Sequence, residues 1–235
     1  MFPARKPTAR IADTVNLDGG VRPVQRHRRL RRLAIVAVGA IAALSLAGPA
    51  NADPFGLDQP TNNVPGVGAI PDNFNHTFCF SGAGWTAARQ AVVNTQMANL
   101  DTQTSYFDTF PIPTGCFATT DLWFQVTALP AGVRGDWSCR LWNNGADGVP
   151  NSGDDRCEGA TIRISSSSVV LPDDHQRRKT TCHEIGHSVG LAHGTNTATF
   201  WNDCMVSGAV PAGIQWERYN AHHINHANSR TPSAS

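Results

Sequence analysis

The chain has 235 residues, of which 40% are hydrophobic and 16% charged, and its formal net charge is +1. That charge averages two unlike parts, because residues 1–52 hold nine of the nineteen Lys and Arg but only two of the eighteen Asp and Glu. Residues 53–235 are therefore acidic, with ten basic residues against sixteen acidic ones. This composition excludes a disordered or collagen-like chain, and the acidic body excludes a nucleic-acid partner of the basic-patch type. We expect one globular domain and a monomer.

The first 52 residues have the order of a signal peptide. The basic cluster RHRRLRR at 26–32 precedes an apolar run at 33–47 and the small residues Ala50 and Ala52. We expect cleavage after Ala52 and export of the protein, by the Sec or the twin-arginine route. The apolar run is shorter than the roughly 18 to 20 residues that cross a bilayer, so we expect no stable membrane anchor.

All six cysteines follow the expected cleavage site, as suits a secreted chain with three disulfides. Spacing alone does not fix their connectivity, and we favour sequential pairing. The absence of a CxxC pair disfavours a thiolate zinc site. The favoured pairs are Cys79 with Cys116, Cys139 with Cys157, and Cys182 with Cys204.

Hydrophobic periodicity and turn residues predict the elements of the body. Residues 53–75 are rich in Pro, Gly, Asn and Asp and predict an extended N-terminal arm. Pro172 and two Asp at the front of the second helix, and Gly190 near its end, are typical helix boundaries. The resulting order predicts an α/β (α+β) domain with a mixed sheet over residues 76–230. In chain order we expect a strand at 76–80, a helix at 85–100, a strand at 121–129, a turn-rich stretch, a strand at 160–165, and helices at 172–190 and 214–228.

The segment TCHEIGHSVGLAHG contains the pattern HExxHxxGxxH. On a helix, His183 and His187 are one turn apart and project from the same face, as two ligands of one ion must. Glu184 lies beside them, where its carboxylate reaches a water on the metal and stays out of the coordination shell. Gly190 allows the positive φ that ends the helix, so that His193 supplies a third nitrogen. Three imidazoles and one open position indicate a catalytic zinc site.

The segment HEIGHSVGLAH resembles the extended zinc-binding motif of the metzincin clan of zinc metalloendopeptidases. Met205, in DCMVSG twelve residues after His193, lies where that clan has a methionine turn beneath the zinc. The short spacing is most similar to matrixins and small secreted bacterial metzincins. Ser207 stands where some members have a tyrosine ligand, so no tyrosine switch is expected. The resemblance covers residues 162–208 well and residues 76–228 more weakly.

The resemblance implies a zincin-like fold, with an upper subdomain at about 76–190 and a small, mainly helical lower subdomain at about 191–230. It implies one catalytic Zn²⁺ held by His183, His187 and His193, with Glu184 as general base and Met205 as the packing floor. The expected activity is hydrolysis of peptide bonds in a polypeptide substrate. We expect that substrate to pair as a strand with the edge of residues 160–165. A Cys182–Cys204 bridge would tie the active-site helix to the methionine turn.

Two weaker patterns leave alternatives open. The loop from Asn143 to Asp155 offers Asn143, Asp147, Asn151 and Asp154 as ligands for Ca²⁺, but the same residues are typical of tight turns, which we favour. On the last predicted helix, His222 and His226 are one turn apart and His223 lies beside them. They suggest a second metal site, although a solvated face or packing is the favoured interpretation.

A competing function is a secreted binding module that keeps the metzincin scaffold with little or no proteolysis. A scaffold that only holds zinc needs the three histidines alone, so the presence of Glu184 favours the enzyme. The sequence does not define the natural substrate or its preferred side chains.

Overall fold

The computed structural model describes residues 70–146, 148–149, 155–193 and 202–229. The expected signal peptide at 1–52 and most of the expected arm at 53–75 lie outside the described residues. Among the described residues, no helix is both long and apolar enough to cross a membrane.

The described residues form a mixed α/β fold around one five-stranded sheet. The strands are β1 (Asn75–Ser81), β2 (Asp108–Pro111), β3 (Leu122–Thr127), β4 (Gly135–Asn143) and β5 (Arg156–Ser165), in the spatial order β2-β1-β3-β5-β4. Strands β2, β1, β3 and β5 are mutually parallel, and β4 pairs antiparallel with β5. The helices are α1 (Ala87–Gln103), α2 (Asp174–Ser188) and α3 (Ala221–Ser229).

Helix α1 begins at an N-cap formed by Thr86, whose side chain accepts a hydrogen bond from the Arg89 amide. Its apolar residues recur every three or four positions, and one face is buried against the sheet. This face includes Val93, Met97 and Leu100, which are at most 1% exposed. The same core contains Phe78, Phe124 and Ile162 from the sheet and Ile185 from α2.

Helix α2 positions most of the chemistry. The Asp173 side chain caps it by accepting from the Gln176 amide, and Asp174 places a second carboxylate in the first turn, where the helix dipole favours negative charge. The helix packs beside α1 and over β4 and β5. All residues from 179 to 188 are buried. The helix face that carries His183 and His187 and the face that carries Ile185 therefore both lie inside the protein.

Three sequence predictions of elements were wrong in detail. The stretch expected to be rich in turns contains the nine-residue strand β4, and β2 was not predicted at all. The helix expected at 214–228 is a short 3₁₀ turn at Ile214–Glu217 followed by α3. Strand β5 lies between β3 and β4, so it has no free edge for a substrate, and the expected pairing at 160–165 is excluded.

The disulfides follow the predicted sequential order. Cys79 is bonded to Cys116, Cys139 to Cys157, and Cys182 to Cys204. The second bridge joins β4 to β5, and the third joins α2 to the turn that contains Met205. Each bridge therefore fastens a different part of the fold.

Candidate metal centre

The three histidines of the motif converge on one point. His183 and His187 lie on α2, and His193 follows the helix end, with ring centroids 4.7 to 4.9 Å apart in all three pairs. One potential ligand atom from each lies within 4.8 Å of the others. Among the described residues, this is the one group of three or more His, Cys, Asp or Glu side chains close enough to share a metal ion.

The orientation of two rings is fixed by backbone carbonyls. His183 Nδ1 lies 2.8 Å from the Cys204 carbonyl oxygen, and His187 Nδ1 lies 2.7 Å from that of Leu191. Since a carbonyl can only accept, each Nδ1 carries the proton and each Nε2 keeps its lone pair. A carbonyl that accepts from the ring nitrogen not bound to the metal is typical of metal-ligating histidines, so the donor set fits a zinc ion.

Burial keeps these imidazoles neutral. Burial lowers the pKa of His183 well below its usual range, and the neighbouring His187 lowers it further. Burial also lowers the pKa of His187 to about 3 and shifts the pKa of His193 downward. Because only the neutral imidazole binds a cation, the site is in its ligating form at neutral pH.

Glu184 lies next to the ligands in a buried position, 5% exposed. Burial raises the pKa of the Glu184 carboxyl to about 8; the nearby charge of Asp136 adds to the shift, and Lys179 opposes it. The carboxylate fits against β4 only because residue 135 is glycine. A Cβ there would lie 2.8 Å from Glu184 Oε1 and 2.8 Å from Thr180 Cγ2.

The helix end follows the predicted geometry. Gly190 has φ of 84°, and the Leu191 amide donates to the Gly186 carbonyl, which closes the last turn. The chain then reverses and brings His193 to the other two histidines. A residue with a side chain would be strained at this φ, which explains why the motif has glycine at position 190.

Met205 is fully buried beneath α2. A Cβ on Gly186 would overlap the Met205 sulfur, so a glycine inside the helix is what allows the turn to pack this closely. The Cys182–Cys204 bridge and a hydrogen bond from the Tyr219 hydroxyl to the Cys182 carbonyl hold the same contact. The turn and the helix thus form one rigid unit.

Lys179 is a buried residue beside the candidate site that the HExxHxxGxxH pattern does not include. It lies one turn before His183 on the ligand face of α2, and its ammonium group donates to the Val206 carbonyl. Burial lowers the pKa of Lys179 to about 8, although the Glu184 carboxyl opposes the shift. The sequence does indicate its position, because a residue four places before His183 lies on the same face of a helix.

The weaker predictions have mixed outcomes. Asp147, Asn151 and Asp154 of the expected calcium loop lie outside the described residues, and Asn143 Oδ1 accepts from the Gly145 amide, as in an ordinary turn. On α3, the rings of His222 and His226 lie 4.5 Å apart. His223 is buried and pairs instead with Asp203, a carboxylate that is distant in sequence.

The chain was compared with known proteins. No protein-family model matches it, and no curated protein sequence matches it. The chemistry of the site is therefore the guide to the function of the protein.

Proposed function

We propose that the protein is a secreted, metzincin-like zinc endopeptidase with a zincin-like fold. The observation that carries the proposal is the convergence of three neutral imidazoles, two with Nδ1 held by carbonyl oxygens, beside the buried carboxyl of Glu184. In catalytic zinc sites three protein ligands leave one position for water or substrate, and the three histidines fit that count. An acid–base group adjacent to such a site is the feature that a purely structural zinc site lacks.

The residues that would hold the ion are His183, His187 and His193. When bound, zinc supplies Lewis-acid chemistry: it lowers the pKa of water to about 7 and polarises a carbonyl oxygen. The Cys204 and Leu191 carbonyls orient two of the three ligand rings, as the distances above show. Met205 is fully buried against Gly186, between the two ligand histidines of α2 along the chain, and would form the packing floor of the site.

Glu184 is the acid–base group of this proposal. Its carboxylate accepts the proton of the attacking water and then delivers that proton to the leaving amine. Burial disfavours its charged form and raises its pKa, so the carboxylate takes up a proton more readily than an exposed one. Gly135 leaves the space in which the carboxylate sits, between β4 and α2.

Strand β4 is the edge of the sheet on the side of the site. It pairs with β5 through one of its two edges, and Gly135 at its beginning lies against Glu184. We infer that an extended polypeptide substrate adds to the outer edge of β4, in place of the interior strand β5.

Secretion is part of the proposal. The leader at 1–52 has the order of a signal peptide, and three disulfides are typical of proteins that fold in an oxidising compartment. A secreted binding module on the same scaffold is the alternative function, and it predicts that Glu184 has no role in any activity.

The test compares the wild-type body from Asp53 with Glu184→Ala and with Glu158→Ala as a matched control outside the site. We expect one equivalent of zinc in all three proteins by atomic absorption. Casein or gelatin should be cleaved by wild type and Glu158→Ala, with cleavage abolished by a chelator. Glu184→Ala should lose activity by at least about 100-fold. Zinc binding without a difference between wild type and Glu184→Ala would favour the binding module.

A further inference from the structure

The proposed reaction makes no use of a buried pair formed by Asp203 and His223. Their side chains are each 1% exposed. Asp203 lies two residues before Met205, and His223 lies on α3. A carboxylate buried so completely is costly unless it is paired and hydrogen-bonded, so its partners are informative.

Both carboxylate oxygens of Asp203 are engaged. Oδ1 accepts from the Met205 amide at 2.9 Å, and Oδ2 accepts from the Asn220 amide at 3.1 Å. Oδ2 also pairs with Nδ1 of His223. Asn220 in turn caps α3 by accepting from the His223 amide at 2.9 Å. These contacts fix the turn at 203–205 to the start of α3.

One rigid peptide unit joins this pair to the metal centre. The carbonyl of Cys204 and the amide of Met205 belong to the same planar peptide. Asp203 holds the amide side of that plane, and the carbonyl side accepts the hydrogen bond from His183 Nδ1 at 2.8 Å. The position of Asp203 therefore sets the direction of the oxygen that orients the His183 ring.

The same connection has an electronic consequence. A carboxylate that accepts from an amide polarises the peptide and makes its carbonyl a stronger acceptor. A stronger acceptor at Nδ1 raises the basicity of Nε2, the atom left for a metal ion. The orientation of the His183 ring and the basicity of its Nε2 thus both depend on the Asp203 carboxylate.

We propose that Asp203 and His223 are positioning residues of the metal centre, which act on His183 through the Cys204–Met205 peptide. His223 keeps the Asp203 carboxylate in place through the contact between its Nδ1 and Oδ2. The inference rests on the metal site of the proposed function, but not on peptide hydrolysis. It gives α3 a role in tuning a ligand that lies on another helix.

The test uses Asp203→Asn and His223→Gln in the full body from Asp53, with His226→Gln on the same helix as the matched control. Zinc affinity is measured by competition with a chromophoric chelator, and the visible spectrum of the Co²⁺ form reports the ligand field. We expect zinc affinity to fall about 10- to 100-fold in the two variants, with an altered Co²⁺ spectrum. His226→Gln should match wild type in both measurements.

Circular dichroism separates positioning from simple support of the fold. A folded Asp203→Asn protein with wild-type zinc affinity and a wild-type Co²⁺ spectrum would overturn the inference, even if it melted at a lower temperature. If Asp203→Asn does not fold, the folded His223→Gln variant decides by the same two criteria. Wild-type protein that binds zinc without cleaving casein would defeat the proposed function and leave this inference standing.

Discussion

At the scale of single residues, Gly135 is important because it has no Cβ atom that would collide with Glu184. Its φ is outside the positive range, so alanine fits the backbone, but the added Cβ meets Glu184 and Thr180 at 2.8 Å. We expect Gly135→Ala to reduce kcat/KM for casein by about 10- to 100-fold, because small displacements of a catalytic group carry such costs. Zinc content should not change, since the three atoms nearest to the added Cβ belong to Glu184 and Thr180 and not to a histidine.

Ser138→Ala on the same strand is the control for this change. It removes only a hydroxyl group from β4 and adds no atom near Glu184. Equal activity of Gly135→Ala and Ser138→Ala would show that Glu184 tolerates displacement, and would count against the role given to Gly135.

His76, which is not one of the three candidate metal ligands, makes the free energy of unfolding depend on pH. Burial lowers its pKa to about 4, from a usual value of 6.5, and its ring packs edge-on against Phe107. The unfolded chain therefore binds a proton at His76 between pH 6.5 and pH 4, whereas the folded protein does not. The contribution of His76 to the free energy of unfolding is therefore fully present above pH 6.5. It decreases by about 3 kcal/mol as the pH falls to 4.

The contribution of His76 is measured by comparing the unfolding of wild type with that of a variant without this histidine. Urea denaturation of wild type and His76→Leu at pH 7 and pH 4 gives the free energy of unfolding at each pH. Wild type should lose about 3 kcal/mol more than the variant over this interval. Parallel losses in the two proteins would show that His76 does not titrate on unfolding as its burial indicates.

The sequence predicted the residues of the site that are close together along the chain. His183, Glu184 and His187 share one helix, and helical geometry alone places two of them on one face. Gly135 and Asp203 were missed because they reach the site from other elements, at distances that no local period encodes. Their roles follow from tertiary packing and could not be derived from spacing.

At the scale of elements, an ion cluster fastens the 3₁₀ turn Ile214–Glu217 to the start of α2. Arg178 Nε lies 2.5 Å and His175 Nδ1 lies 2.7 Å from the Glu217 carboxylate oxygens. Burial alone would raise the pKa of Glu217, but Arg178 and His175 together lower it. The cluster anchors the chain that follows the methionine turn, so its loss should loosen that whole segment.

We expect Glu217→Gln to lower the free energy of unfolding by roughly 1 to 3 kcal/mol, since it weakens the hydrogen bonds that Arg178 and His175 make to a carboxylate only 9% exposed. Asp174→Asn is the control, because it breaks an exposed pair with Arg177 at the same end of α2 and should change stability by less than about 0.5 kcal/mol. Urea denaturation of both variants at pH 7 measures the difference. Equal effects would mean that burial adds nothing to the Glu217 cluster.

The elements themselves were predicted unevenly, for physical reasons. Helix α1 has small and apolar residues at helical spacing, and α2 has two Asp at its start and Gly190 just after its end, so their positions followed from the sequence to within a few residues. Strand β2 has four residues and ends at Pro111, and β4 has register shifts near Leu141 and no fully buried residue. Strand β2 is too short to show an alternation of apolar and polar residues. In β4, Trp137, Cys139 and Leu141 do alternate with polar residues, but over five positions only, up to the point where the register shifts.

At the scale of the whole molecule, the three disulfides determine in which cellular compartment the protein can fold. Their loops span 37, 18 and 22 residues and do not overlap along the chain. In the chain-entropy estimate each contributes about 3 to 4 kcal/mol, so together they match the roughly 5 to 15 kcal/mol that stabilise a typical domain. The fold should therefore depend on an oxidising compartment, in agreement with the proposed secretion.

Reduction tests this dependence directly. We expect the body from Asp53 to lose its near-ultraviolet circular dichroism in tris(carboxyethyl)phosphine at 25 °C, because without the bridges the unfolded chain regains its conformational entropy. Alkylation and mass measurement must show six modified cysteines, which establishes that all three bridges were open. An unreduced sample heated and cooled in the same buffer controls for irreversible loss. A fully alkylated protein that keeps its native spectrum would contradict the prediction, and its core alone would then suffice for folding in a reducing compartment.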